Sequence, residues 1–339
     1  MFNNKSILIT GGTGSFGKNF VKFLLKNYKL KKIIIYSRDE MKQYEMSQIF
    51  NPEKFKCLRY FLGDVRDLER LEIALREVDY VVHAAALKQV PAAEYNPIEC
   101  IKTNINGAQN VILASIKNNV KKVIALSTDK AVNPINLYGS SKLASDKLFI
   151  SANHLSGAKT IFSVVRYGNV AGSRASVVPY FKKLINEGSK FLPITHADMT
   201  RFWITIDQGI NLVNKTFINM IGGEIYIPII ASIKITDLAK AMAPNLNHKF
   251  IGIRPGEKLH ELLSSKDESL NVIRFKSHYV ITPNIKFKYD KKDYLKNKEK
   301  EVGKFVHKDF EYESGTNKNF LTLKEIKKLN STNSINNSF

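Results

Sequence analysis

Two short strings carry side chains that could do chemistry together: Ser127-Thr128-Asp129-Lys130 and Tyr138-Gly139-Ser140-Ser141-Lys142. The second is Tyr-x-x-x-Lys, which on a helix sets the phenol and the ammonium one turn apart on one face. A lysine beside a tyrosine favours the phenolate, so Tyr138 with Lys142 is expected to act as a base near neutrality. The first string sets an acid beside an amine directly after the apolar run Val123-Ile124-Ala125-Leu126, which reads as a buried strand. Oxidising an alcohol needs the Tyr/Lys pair and a hydride acceptor. A further acid and base at the same place imply a second step after the oxidation. Asp129-Lys130 before Asn133-Pro134 is, by itself, equally the composition of an ordinary turn.

The start of the chain supplies what the acceptor would need. Ser6-Ile7-Leu8-Ile9 reads as a strand, followed by Gly11-Gly12-Thr13-Gly14-Ser15-Phe16-Gly17 and an amphipathic run from Phe20. A strand, a glycine turn and a helix together offer backbone N–H groups and a helix N-terminus to a pyrophosphate. The glycines satisfy both G-x-x-G-x-x-G and G-x-G-x-x-G, so the spacing does not choose between subfamilies. At the second strand's end stand Ser37-Arg38-Asp39, with Lys42 a turn further on. Arg38 with Lys42 favours the 2′-phosphate of NADP, whereas Asp39 would suit the ribose diol of NAD or serve as an N-cap. Asp64 and Val65 are placed to flank the adenine, and Ala84 offers a small side chain where a cofactor passes close to backbone.

Strands are expected at 7–9, 33–36, 58–62, 80–83, 123–127 and 162–166, with helices at 18–27, 39–50, 68–77, 97–118 and 138–152. This alternation predicts an α/β fold with a doubly wound parallel sheet (Rossmann), whose ligands bind beyond the carboxyl ends of the strands. The expected division is a cofactor domain over 1–168 carrying the catalytic residues, then a smaller mixed α/β substrate domain over 169–330 with some segments returning to the first. Residues 331–339 are polar and aperiodic and read as a frayed tail.

Composition narrows the class. The 339 residues are 44% apolar, enough for a large core, and carry 52 Lys+Arg against 31 Asp+Glu, a net charge of +21. The basic residues are scattered and interleaved with acids, which argues against a nucleic-acid partner. Cys57 and Cys100 are too few for a disulfide framework, and His83, His196 and His260 stand singly, without metal spacing. With no signal peptide and no apolar run of membrane length, the expectation is a soluble, cytoplasmic enzyme with no membrane partner and no metal.

Taken together, these residues resemble the extended short-chain dehydrogenase/reductases, and within them the inverting UDP-N-acetylglucosamine 4,6-dehydratases that open pseudaminic acid biosynthesis. The resemblance runs through Tyr36-Ser37-Arg38-Asp39-Glu40, Gly63-Asp64-Val65-Arg66-Asp67, His83-Ala84-Ala85-Ala86-Leu87-Lys88, Ser127-Thr128-Asp129-Lys130, Arg166-Tyr167-Gly168-Asn169-Val170, Met199-Thr200-Arg201-Phe202-Trp203 and Arg254-Pro255-Gly256-Glu257-Lys258. Thr-Asp-Lys is its most specific part, since retaining dehydratases typically carry Asp-Glu there.

The resemblance implies NADP as cofactor and UDP-N-acetylglucosamine as substrate. Tyr138 would be the base at the C4 hydroxyl, with Lys142 lowering its pKa and Thr128 hydrogen-bonding the reacting oxygen. Lys130 would remove the C5 proton and Asp129 would protonate the departing C6 hydroxyl. Hydride would return to C6, and C5 would be reprotonated from the opposite face. Arg201 and Arg254 are the implied diphosphate ligands, and Asn169 and Lys88 the implied substrate contacts near the cofactor. A homo-oligomer is implied too, dimer-based and commonly hexameric.

Two points stay open at this stage. Asp129 must be protonated and Lys130 neutral, and the pair titrates as a unit. In an extended segment their side chains would point to opposite sides. A UDP-sugar C4-epimerase of the same fold would leave Asp129 and Lys130 idle, and a non-catalytic NADP-binding sensor would not need the Thr128, Tyr138 and Lys142 set.

Overall fold

The computed structural model describes residues 1–336 apart from 158, 174, 175 and 287, and the side chains of 331–336 lie outside the description. Six strands follow the expected alternation: β1 (Ser6–Thr10), β2 (Lys32–Ser37), β3 (Leu58–Leu62), β4 (Tyr80–His83), β5 (Lys122–Thr128) and β6 (Ile161–Tyr167). They pair in parallel in the order β3-β2-β1-β4-β5-β6. Ile7, Leu8 and Ile9 are fully buried, as expected of a central strand covered by helices on both faces. Strand order reverses between β1 and β4, the place where this fold opens a crevice.

Helices α1 (Ser15–Asn27), α2 (Glu40–Ile49), α3 (Leu68–Ala74), α4 (Val90–Tyr95), α5 (Pro97–Ile101), α6 (Gly107–Lys117) and α7 (Leu137–Leu155) connect the strands. The single helix expected over 97–118 is interrupted by a π-helical turn at Lys102–Asn106, between α5 and α6. The insertion turns Asn104 inward, where it holds Leu87 through both backbone groups and reaches Ser141 of α7 at 2.9 Å. α3 stops short of the expected 77 because Glu77 takes a positive φ of 57°.

Beyond β6 the chain divides between two places. A helix at Ile206–Asn219 and a strand at Ile225–Pro228 extend the parallel sheet beside β6. Antiparallel strands His278–Ile281, Val272–Arg274 and Lys304–Phe305 complete its ten strands. The intervening segments build smaller apolar clusters, one around Phe181, Leu192 and Ile194 and another around Trp203, Ile233 and Leu238.

One expectation is corrected at the C-terminus. The stretch read as a frayed tail over 331–339 begins inside a helix, Leu323–Asn336. Thr322 and Glu325 satisfy each other's backbone N–H groups at its start, and Ile326 is buried. Residues 337–339 lie outside the described residues.

His83 and His278 are both buried, and burial pulls their pKa values from the ordinary 6.5 down to about 3 and about 4. Both are therefore neutral in the fold, while the unfolded chain protonates them below 6.5. Their contribution is fully present above that value and is lost as pH falls toward the folded values, by about 1.4 kcal/mol per pH unit for each histidine. We expect urea unfolding to show stability falling between about pH 6 and 5, and His278→Gln to flatten that slope by about one histidine's share. An unaltered slope in the variant would contradict the assignment.

Candidate active site

The site begins where β5 ends. Thr128 accepts a hydrogen bond from the Lys130 backbone N–H at 3.3 Å and starts a 3-10 turn over Asp129–Ala131. This decides the point left open by the sequence: the segment is a turn rather than extended, and it brings the two side chains together. Lys130 Nζ donates to Asp129 Oδ1 at 3.1 Å, and Thr128 Oγ1 donates to the same oxygen at 2.9 Å. Asp129 is 1% exposed, so this is an ion pair at a protein wall rather than a solvated one.

Helix α7 delivers the tyrosine to that turn. Asn136 caps it by accepting from the Gly139 N–H at 2.8 Å. A Cβ at Gly139 would lie 2.2 Å from the carbonyl oxygen of Lys130, so only glycine lets the first turn of α7 rest against the Asp129–Ala131 turn. Lys142 follows one helical turn after Tyr138 and is buried. Another turn on stands Asp146, also buried, which accepts from Ser127 Oγ at 2.7 Å and lies 3.7 Å from Arg166. Arg166, opposite Ser127 in the β5–β6 register, reaches Glu268 at 3.1 Å.

Burial pushes the Tyr138 phenol up to about 12; the Lys130 charge leads the effects that draw it back, and a Thr128 side-chain hydrogen bond also lowers it. Burial holds Lys142 below the usual lysine range, opposed by Asp146. Lys130 leads the charges that lower the phenol, and the Asp146 carboxylate opposes the burial of Lys142.

On the other side of the crevice, the β1–α1 turn forms the expected cradle. Gly11 takes a φ of +63°, and a Cβ there would lie 2.9 Å from the Ala85 backbone. No side chain caps α1, and its first turn holds no acid, so its N-terminus suits an anion. Arg38 stands half-exposed at the end of β2, 3.7 Å from Asp64. Asp39 caps α2 through the Lys42 N–H at 2.9 Å and pairs with the Lys42 ammonium, so its carboxylate is engaged within its own helix. A dinucleotide with its pyrophosphate at α1 fits these residues.

One cleft of about 880 Å³ joins the two sides. Gly11, Thr13, Gly14, Ser15, Phe16 and Gly17 line it, as do Ser37, Arg38, Lys42, Asp64, Val65 and Ala84. Thr128, Asp129, Lys130, Tyr138 and Lys142 share it with Lys88, Asn169 and Arg254. Among its lining residues, Asp129 Oδ2, Asn169 Oδ1, Ser176 Oγ and Glu257 Oε2 are buried with no hydrogen-bond partner among the described residues. Buried polar atoms are normally satisfied, so a cluster of orphans at a cleft points to a polar ligand.

Arg201 is the exception and is corrected here: it does not line the cleft. Its guanidinium lies within the strand Thr200–Ile204 and donates to the carbonyls of Thr200, Lys258 and Leu259 at 2.7, 3.0 and 3.1 Å. Those bonds fix the segment that carries Arg254, whose turn is docked by Asn136 donating to Gly256 O at 2.8 Å. Glu261, on the same segment, meets Lys130 Nζ at 3.0 Å. No spacing rule in the sequence links residues 130 and 261, and this acid was not anticipated. Among the described residues no group of His, Cys, Asp or Glu is placed to hold a metal ion, and no helix is long and apolar enough to cross a membrane.

Residues 7–283 match the family described as polysaccharide biosynthesis protein. The chain belongs to that family. It is 61% identical over 327 residues to the UDP-N-acetylglucosamine 4,6-dehydratase (inverting) of Campylobacter jejuni, covering 96% of this chain and 97% of that protein. The UDP-glucose 4-epimerase of Rickettsia massiliae is 45% identical over 289 residues, 83% of this chain and 84% of the relative. Among solved structures, Pen from Bacillus thuringiensis superposes with a TM-score of 0.88 at 34% identity, covering 99% of each chain. These likenesses place the chain among the extended short-chain dehydrogenase/reductases.

Gly139→Ala tests the close approach of α7. The added methyl must move the helix start off the Lys130 turn, and a displacement of about 1 Å at a reacting group costs on the order of a hundredfold in rate. We expect the variant to keep its fold by circular dichroism and its bound dinucleotide while turnover drops by that factor. Turnover equal to the unaltered protein would show that the contact is incidental.

Proposed function

We propose that this protein is an inverting UDP-N-acetylglucosamine 4,6-dehydratase that uses NADP. The observation that carries the reading is the Asp129–Lys130 pair, buried at one wall of the same cleft as Tyr138 and Lys142. An epimerase working at C4 alone would have no use for an enclosed acid and amine there.

Arg38 and Lys42 stand where a 2′-phosphate would need cations, and the N-capping role of Asp39 weakens the NAD alternative. The bound nicotinamide supplies the acceptor for two electrons from C4 and their return to C6. Tyr138 takes the C4 hydroxyl proton, with Thr128 beside it and the Lys130 charge favouring its phenolate. The ketone that results acidifies C5. Within the Asp129–Lys130 pair the ammonium proton passes to the carboxylate, 3.1 Å away, which leaves an amine to take the C5 proton and an acid to protonate the C6 hydroxyl. The pair thereby needs no proton from outside. General acid–base steps of this type contribute about 10²–10⁴ each. Arg254, Lys88 and Asn169 hold the diphosphate and the sugar. The same reading takes the enzyme to be a cytoplasmic homo-oligomer.

The decisive experiment incubates the purified protein with UDP-N-acetylglucosamine and weighs the product. Loss of one water is expected, and a product of unchanged mass would favour the epimerase reading instead. Lys130→Ala should reach the C4 ketone more slowly, because the Tyr138 phenol loses a charge that lowers its pKa, and go no further, read as a slow, lasting rise in reduced-nicotinamide absorbance without water loss. Absence of both signals while substrate still binds would remove Lys130 from the C5 step. Arg38→Asp should lower NADP affinity by about 1.5–3 kcal/mol, roughly tenfold to a hundredfold, the worth of a charged hydrogen bond. Unaltered NADP affinity would count against the cofactor choice.

A further inference from the structure

Lys130 is held from two sides. Asp129 Oδ1 lies 3.1 Å from its Nζ, and Glu261 Oε1 lies 3.0 Å away. Glu261 is 2% exposed, its Oε2 has no hydrogen-bond partner, and Arg201 Nε stands 3.8 Å from the oxygen that meets Lys130. Its backbone is fixed from outside the cleft: its N–H donates to Ser314 Oγ at 2.9 Å, and its carbonyl accepts from the Ser314 N–H at 2.9 Å. Ser314 is in turn bonded to Thr200, so the carboxylate is delivered by a rigid corner rather than a loose loop.

The pair Asp129–Lys130 is sufficient to exchange one proton internally, so a second carboxylate on the same ammonium calls for another role. The dehydratase reading, on which this inference rests, supplies one. When elimination is complete, the C5–H proton has become an N–H of Lys130, and the Asp129 proton has left with the C6 oxygen as water. Lys130 is then an ammonium between two carboxylates, facing a carbon that still has to receive a proton. Return of the proton by Lys130 would restore the original configuration at C5. Inversion requires that this return be slow compared with delivery from the other face.

We propose that Glu261 is a positioning residue that enforces the stereochemical outcome, by holding Lys130 as its ammonium after it has taken the C5 proton. The carboxylate changes no bond and no protonation state of its own. Its charge makes Lys130 a strong base before the transfer and a poor acid after it, and its oxygen fixes the direction of a flexible four-carbon side chain. The neighbouring cations Arg201 and Lys258 are themselves held by backbone carbonyls. Both carboxylates raise the Lys130 pKa above the usual lysine range, although burial alone would lower it.

The test compares the unaltered enzyme with Glu261→Gln and Glu261→Asp, reading C5 configuration by NMR on product made from C5-deuterated substrate. Glutamine keeps an oxygen for Lys130 and removes the charge, and acid strength changes about tenfold for each pKa unit. We expect Glu261→Gln to release a fraction of product with the retained C5 configuration, several-fold above the unaltered enzyme, part of it still carrying substrate deuterium. Glu261→Asp keeps the charge at a longer reach and should give an intermediate fraction. Thermal unfolding reports whether each variant is folded. Fully inverted product from both variants, or from the aspartate variant alone if the glutamine variant does not fold, overturns the proposal. An unaltered enzyme that loses no water, or that retains configuration, overturns the dehydratase reading beneath it instead.

Discussion

An ammonium enclosed by two carboxylates, Lys130 between Asp129 and Glu261, is the constraint around which the rest of this structure is arranged. Removing such charges from water costs several kcal/mol per ion, and only close geometry on every side offsets it. The fold meets that demand with backbone. The 3-10 turn after β5 presents Asp129 and Lys130 together, and Gly139 lets α7 close over the turn. Arg201 uses its guanidinium to lock the segment that carries Glu261. A lesser fit at any of these places would leave an unpaired charge in the wall of the cleft.

A second row of buried charges runs behind the first. Lys142, Asp146, Arg166 and Glu268 lead from the cleft through α7 to the far side of β6, with Ser127 bonded into the row from β5. The parallel register of β5 and β6 sets Ser127 against Arg166 and Thr128 against Tyr167, so the two rows are spaced by the sheet itself. The Tyr138 phenol feels burial first and the Lys130 charge next.

Much of this was legible in the chain. The strand and helix periods gave the order of β1 to β6, because central strands buried on both faces must be continuous apolar runs, and Ile7 to Ile9 and Val123 to Ala125 are such runs. The glycine turn and the Tyr138–Lys142 spacing are local, and local spacing survives into structure. Arg201 shows the limit: a guanidinium in an apolar strand reads the same whether it meets a ligand or three carbonyls of its own chain. Glu261 shows it again, since its partner is far away in sequence and only tertiary packing unites them. The backbone under the Asp129–Lys130 pair was left open by the sequence, and the short turn capped by Thr128 is what brings the two side chains together.

On the proposed function, one cleft oxidises C4, eliminates across C5–C6 and restores C6 without releasing the electrons it borrowed. Running the reaction in heavy water with substrate labelled at C4 tests this most directly by NMR. The account predicts the C4 label at C6 of the product and solvent deuterium at C5. Loss of the C4 label to solvent, or a C5 position free of solvent deuterium, would contradict it.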